Sequence, residues 1–353
     1  MLNSIARDRW AKFPIPEYVR VRWHRTYDKA LARQFARRSM LLEVSAELES
    51  AGIDHAVLKG GALLGGVYAD AAVRPVRDLD LLIRPAEVAR ATALLIERCG
   101  CIPQSQLTGV QLEDYSVHKH AEPLWNAARA TSIELHVRLV DRPRRGQGGL
   151  LFEPERLLAR AVPRALGSRA LPCLAWPETL LHLIAHAVHD HQFNNGPLLL
   201  TDALAITRHA DINWDEFWHF AEEGGWTGAA RLTGDLLTWL TDSPAPLFGD
   251  PPGEPVPEPV LRAAALLLLQ DVSHDAGVSG WARLQARPSL KSMLSRLRLR
   301  WHSRTGGSAG AEAAGPFARA GAMLRALRNP AGRSEIARSA TVYRWLGSGQ
   351  DRS

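Results

Sequence analysis

The stretch His55–Ile83, HAVLKGGALLGGVYADAAVRPVRDLDLLI, decides how this chain is read. It places a Lys59-Gly60-Gly61 turn ahead of Asp78 and Asp80, which open an apolar run continuing through Leu81, Leu82 and Ile83. On an extended backbone, side chains two residues apart point to the same face. Like charges held so close resist joint ionisation unless a cation lies between them. An acidic pair on an otherwise apolar strand therefore points to a hard-cation site, most often Mg²⁺ with phosphate.

Glu134 extends the pattern. Residues Ile133–Leu139 alternate, with Ile133, Leu135, Val137 and Leu139 on one face and Glu134, His136 and Arg138 on the other. If that strand lies beside the first, Asp78, Asp80 and Glu134 converge, and three carboxylates can hold one or two Mg²⁺ ions. The Gly-Gly turn exposes backbone N–H groups that can cradle phosphate oxygens. Lys59 offers a point charge, and Arg74 a two-pronged clamp. No G-x-x-x-x-G-K-[ST] motif occurs, which disfavours a P-loop fold.

Working outward, Tyr27–Ser50 reads as a helix with Leu31, Phe35, Leu41, Leu42, Val44 and Leu48 on its apolar side, ended by Gly52. His55–Leu58 reads as a strand, Gly61–Tyr68 as a helical turn and Asp78–Ile83 as a second strand. Pro85 opens a helix to about Arg98. Further strands are expected at 117–124 and 132–139. Together these elements predict an α+β domain with a small mixed sheet and flanking helices. After Pro177 the pattern turns to successive helices: Pro177–Gln192, Pro197–Ala210, Trp214–Glu223, Gly225–Leu240 and Val260–Gln270. Start signals fall at Thr201–Asp202 and Asn213–Trp214. Ser243–Pro259 is Pro-rich and reads as a linker. Residues 304–315 are Gly/Ala/Ser-rich and read as flexible, with basic helices at 317–328 and 334–346.

The whole chain has 353 residues and a formal net charge of +6, with the basic excess at its two ends. Composition is that of a globular protein, at 46% hydrophobic. Three cysteines, Cys99, Cys101 and Cys173, make neither a disulfide framework nor a zinc quartet, so a reducing, cytoplasmic setting is expected. No apolar run reaches membrane-spanning length. His182, His186, His189 and His191 crowd one helix, but lack the Glu of a metalloprotease and read as packed or hydrogen-bonded residues. Trp176, Trp214, Trp218, Trp226 and Trp239 read as helical core. Arg296, Arg298 and Arg300 read as a solvated face, and nucleic-acid binding is the disfavoured alternative.

Leu58-Lys59-Gly60, Tyr68, Arg74-Pro75, Asp78-Leu79-Asp80-Leu81-Leu82-Ile83 and Glu134-Leu135-His136 together resemble the uncharacterised bacterial nucleotidyltransferase family, within the polymerase-beta-like superfamily. Pro177-Glu178, Leu180-Leu181, Leu183, His186, Asp202 and Trp214 resemble its helical half, and the likeness spans about Leu48–Leu240. The resemblance implies metal-dependent transfer of a nucleoside monophosphate from an NTP to an acceptor, with Mg²⁺ or Mn²⁺ as cofactor. It implies Asp78, Asp80 and Glu134 as metal ligands and catalytic carboxylates, and Lys59, Gly60 and Gly61, with Arg74, as the phosphate-binding part. The run of elements along the chain divides it into an arm (1–26), an α+β domain (27–165) that the resemblance identifies as the nucleotidyltransferase part, a helical domain (166–303) and a basic tail (304–353). Two departures stand out: the usual Gly-Ser turn is Lys-Gly-Gly, and Arg77 precedes Asp78 where a small residue is the rule. Arg77 favours the competing expectation, a catalytically degenerate binding or scaffold protein. The acceptor stays open among small molecules, peptides and proteins.

Overall fold

A computed structural model describes residues 16–64, 66–68, 70–108, 118–141, 148–193, 196–269 and 328–348. The expected strand start at 117, the Gly/Ala/Ser stretch, the arginines at 296–300 and nearly all of the helix at 317–328 lie outside them. Packing divides the chain into two compact units. The first takes Met1–Leu107, Tyr115–Leu139 and Glu153–Thr179; the second takes Thr108–Asp114, Val140–Phe152 and Leu180–Ser353.

The first unit is built on a mixed sheet of seven strands in the order β3-β4-β5-β2-β1-β7-β6. These are β1 (His55–Val57), β2 (Asp78–Ile83), β3 (Ile102–Pro103), β4 (Leu124–Asn126), β5 (Thr131–His136), β6 (Val162–Leu166) and β7 (Arg169–Cys173). β2 pairs in parallel with β5, and β1 in parallel with β7; the other neighbours are antiparallel. This is the α+β architecture expected from the sequence.

The odd positions of β2 and β5 make the core. Leu79, Leu81, Ile83, Ile133 and Leu135 are buried in one cluster with Met40, Leu41, Val44 and Leu48 of helix α1 and Val88, Ala91, Leu95 and Cys99 of a later helix. α1 runs Glu17–Ser50, ten residues further upstream than the apolar spacing predicts. Residues 17–26 bury no side chain, so periodicity carried no signal there. Phe35, expected on the apolar side, is 54% exposed. The helix ends at Gly52, in the left-handed region at φ 66°, where Ile53 N–H returns to Leu48 O.

A short helix α2 (Lys59–Leu63) follows β1, and helix α3 (Val88–Cys99) follows β2 through a 3₁₀ turn at Pro85–Glu87. α4 (Gln104–Thr108) and α5 (Pro154–Ala159) complete the first unit's helices up to α6 (Trp176–Ala185), among the described residues. Neither β3 nor the β6–β7 hairpin was foreseen. The hairpin closes through Gly167-Ser168, with Leu166 opposite Arg169 and Gly167 at φ 71°. A two-residue Gly-Ser turn between apolar runs is a hairpin signal. Pro163 and Pro172 masked it, because proline argues against a strand; Pro163 is tolerated here because β6 is the sheet's edge.

The second unit is helical: α7 (Leu198–His209), α8 (Trp214–Glu223), α9 (Thr227–Thr241), α10 (Glu258–Leu267) and α11 (Pro330–Ser348). α7 starts at Leu198, just after Pro197, and not at the Thr201–Asp202 signal. Asn213 caps α8, accepting from Glu216 N–H at 3.1 Å. Trp218 and Trp226 are buried as expected, whereas Trp239 is 39% exposed.

Candidate functional site

The even positions of β2 and β5 face away from the core. The parallel register sets Asp78 opposite Ser132, Asp80 opposite Glu134 and Leu82 opposite His136. Period-two alternation thus gathers Asp78, Asp80, Glu134 and His136 on one sheet face. The turn from β1 into α2 adds a fifth participant, Lys59. Leu58 N–H donates to Asp80 O at 2.9 Å, which starts α2 beside the acid. Lys59 takes a left-handed backbone, φ 45°, a strained conformation for a residue with a Cβ. Its ammonium lies 2.6 Å from Asp80 Oδ1.

Asp80 is 2% exposed and His136 is fully buried. His136 Nε2 is 2.8 Å from the same Asp80 Oδ1 and 3.5 Å from Glu134 Oε2. Its Nδ1 lies 3.4 Å from Arg138 O. His120 pairs with His136 through an isolated antiparallel bridge; its Nε2 is 3.8 Å from Glu134 Oε2, and the two rings are 5.3 Å apart. Asp80, Glu134 and His136 each offer one ligand atom, and these lie within 4.8 Å of one another. It is the sole grouping of this kind among the described residues, so the histidines at 182–191 do not form one.

The electrostatics follow from this crowding. Burial alone would raise the Asp80 carboxyl, but the Lys59 ammonium and the His136 ring hold it well below the usual carboxylate range. Burial would likewise lower Lys59, yet the charges of Asp80, Glu134 and Asp78 drive its pKa up. Lys59 draws Asp78 down too weakly to offset its surroundings. Burial, then the charge of Asp80, pushes it up to about 6. The acids outnumber the Lys59 ammonium, a deficit that a divalent cation would offset. Two carboxylate oxygens and an imidazole nitrogen at these separations suit a single metal ion.

The phosphate-binding residues expected from the sequence are placed around this cluster. Gly60 and Gly61 are buried in α2. A Cβ on Gly61 would come within 2.9 Å of Val57 Cγ1, and one on Gly60 within 2.6 Å of Arg74 Nη1. The glycines thus let α2 sit close on β1 and let Arg74 cross over it. Arg74 also donates to Pro75 O at 2.8 Å. Buried Gln34 of α1 clamps Val76, accepting from its N–H at 3.1 Å and donating to its O at 3.3 Å, and so fixes the chain entering β2. Arg77 is exposed.

Three participants were not assigned from the sequence. The alternation places His136 only on Glu134's face; the parallel register brings its ring to Asp80. His120 falls in the strand expected at 117–124, but β4 starts only at Leu124 and His120 makes an isolated bridge ahead of it. Arg164, on β6, is buried over the Trp176 ring at 3.5 Å. It donates to Ala62 O at 3.0 Å and Leu174 O at 2.8 Å, tying α2 to the hairpin.

A mixed sheet presenting paired acids beside a Lys-Gly-Gly helix defines a protein of the nucleotidyltransferase class. More narrowly, a family model described as uncharacterised nucleotidyltransferase matches residues 4–242, and the chain belongs to that family. The search of curated proteins finds no match.

Proposed function

We propose that this protein transfers a nucleoside monophosphate from an NTP to an acceptor hydroxyl or phosphate, releasing pyrophosphate. The carrying observation is the register of Asp80 opposite Glu134, with ligand atoms within 4.8 Å, in a member of this family. Asp80 and Glu134, with Asp78 beside them, would hold Mg²⁺ or Mn²⁺. Such an ion supplies charge neutralisation for the phosphate oxygens and lowers the pKa of an attacking hydroxyl. Lys59 places an ammonium beside the acids, where it can meet the phosphates of a bound NTP. Arg74, crossing Gly60, offers the second phosphate contact. The acceptor oxygen bonds to the α-phosphorus and the bond to the β-phosphate's bridging oxygen breaks. Glu134, flanked by His120 and His136, takes the acceptor proton. Three free, buried cysteines support a cytoplasmic setting. Among the described residues no helix is long and apolar enough to cross a membrane.

The test incubates the protein with each NTP, Mg²⁺ or Mn²⁺ and panels of small-molecule, peptide and protein acceptors, reading pyrophosphate release and acceptor mass. The Asp78→Ala/Asp80→Ala double variant is expected to show no turnover; turnover equal to wild type refutes the assignment.

One observation favours a second reading. The Lys59 ammonium sits on the very Asp80 oxygen that a metal would use. A binding or scaffold protein with an internally neutralised site would look the same. It predicts that an NTP raises the melting temperature equally with and without Mg²⁺, whereas the transferase reading requires the divalent ion.

A further inference from the structure

We infer that His136 is itself a ligand of the cation, and that the centre therefore selects Mn²⁺ over Mg²⁺. This rests on the metal-dependent reading above and names its metal.

Both nitrogens of the buried His136 ring face acceptors. Nε2 faces Asp80 Oδ1 at 2.8 Å and Glu134 Oε2 at 3.5 Å; Nδ1 faces Arg138 O at 3.4 Å. An imidazolium satisfies both acceptors with two N–H groups, whereas a neutral imidazole carries one N–H and one lone pair. A cation that takes the place of the Nε2 proton, among the carboxylate oxygens, keeps both nitrogens satisfied. Nδ1–H then donates to the Arg138 carbonyl, the arrangement by which a backbone carbonyl orients metal-binding histidines. The Nε2 lone pair meets the ion together with Asp80 and Glu134.

His120 repeats the pattern at the margin. Its Nδ1 is 2.8 Å from Ala121 O and so carries the hydrogen. Its Nε2 lone pair is left pointing at Glu134 Oε2, 3.8 Å away. Two imidazole Nε2 atoms thus lie beside the same pair of carboxylates, placed to share an ion with them. The scaffold is firm as well, since β5 is paired on both sides, by β2 and β4.

The donor set then decides the metal. Mg²⁺ prefers an all-oxygen octahedron and sheds water reluctantly. Imidazole nitrogen favours first-row transition ions, among which Mn²⁺ keeps a taste for carboxylate and phosphate oxygen. Two carboxylates and one or two imidazoles fit Mn²⁺ on both counts.

The test loads the full-length chain with substoichiometric Mn²⁺, without nucleotide, and records pulsed electron paramagnetic resonance. The expected spectrum shows nitrogen modulation from a directly bound imidazole. It changes on ¹⁵N-histidine labelling, survives His120→Ala and is lost in His136→Gln. Calorimetry is expected to show Mn²⁺ binding about tenfold or more tighter than Mg²⁺, with that ratio collapsing toward one in His136→Gln. Should His136→Gln fail to fold, the labelled wild type and His120→Ala carry the decision. Mn²⁺ bound with no histidine modulation overturns the inference and leaves the metal-dependent transferase standing. Neither ion binding to wild type overturns both.

Discussion

Asp80 Oδ1 is the atom on which the site turns, taking Lys59 Nζ at 2.6 Å and His136 Nε2 at 2.8 Å away from water. Removing one partner from a buried ion pair strands the other charge, at a cost of about 3–5 kcal/mol. Asp80→Leu is therefore expected to destabilise the protein by that order in denaturant unfolding, and Lys59→Met/Asp80→Leu to recover most of the loss. Equal destabilisation in the single and double variants would show that the pair carries no structural charge. At this scale the sequence was informative where two rules sufficed. The two-residue spacing of Asp78 and Asp80 and the alternation around Glu134 put all three acids on polar faces. The role of His136 was hidden because it depends on which strand lies beside β5, a long-range fact.

Among elements, α2 is the weakest support of the site. Five residues make barely one turn, too short to be stable alone, and its first residue is Lys59. Arg164 stands over Trp176 and holds the Ala62 carbonyl, so it acts as a positioning residue for the lysine. Under the proposed function, Arg164→Met is expected to lower kcat roughly tenfold with a smaller change in KM for NTP, and Arg164→Lys to restore part of it. An unchanged kcat would release Arg164 from that role. The joint between α1 and β1 yields a pH prediction. His55 Nε2 lies 2.7 Å from Ser45 Oγ, and burial lowers the His55 pKa below its ordinary 6.5. The unfolded chain then takes up the proton more readily than the folded one. Stability from this joint is complete above about pH 6.5 and declines as pH falls toward the lowered folded value. Melting temperatures at pH 7.5 and 5.5 should differ less in His55→Gln than in wild type; identical differences would contradict it. The strands β1, β2 and β5 were legible because alternation and apolar runs mark them. The β6–β7 hairpin that carries Arg164 was not, because only its edge position makes Pro163 acceptable.

At the scale of the whole molecule, the family match crosses both compact units. The α+β class could be read from the order of elements, but the strand order could not, since β5 joins β2 across more than forty residues of intervening chain. In the second unit, α11 buries Ile336, Ala340, Val342, Tyr343 and Leu346 and packs on α10, and Tyr343 Oη donates to Val188 O. The sequence predicts a basic amphipathic helix at 334–346 inside a tail, but its spacing does not say which element covers the apolar face. Truncation after residue 327 is expected to lower the melting temperature by about 5 °C or more, because several apolar side chains lose their cover; an unchanged transition would contradict that packing. The proposed transfer requires one site in the first unit to hold a divalent ion. Anomalous X-ray scattering from crystals of the full chain grown with Mn²⁺ and a non-hydrolysable NTP analogue tests it most directly. A Mn²⁺ peak is expected within bonding distance of Asp80 and Glu134, with the analogue's phosphates beside Lys59. Well-diffracting crystals with the analogue bound elsewhere, and no metal peak between those carboxylates, would contradict it.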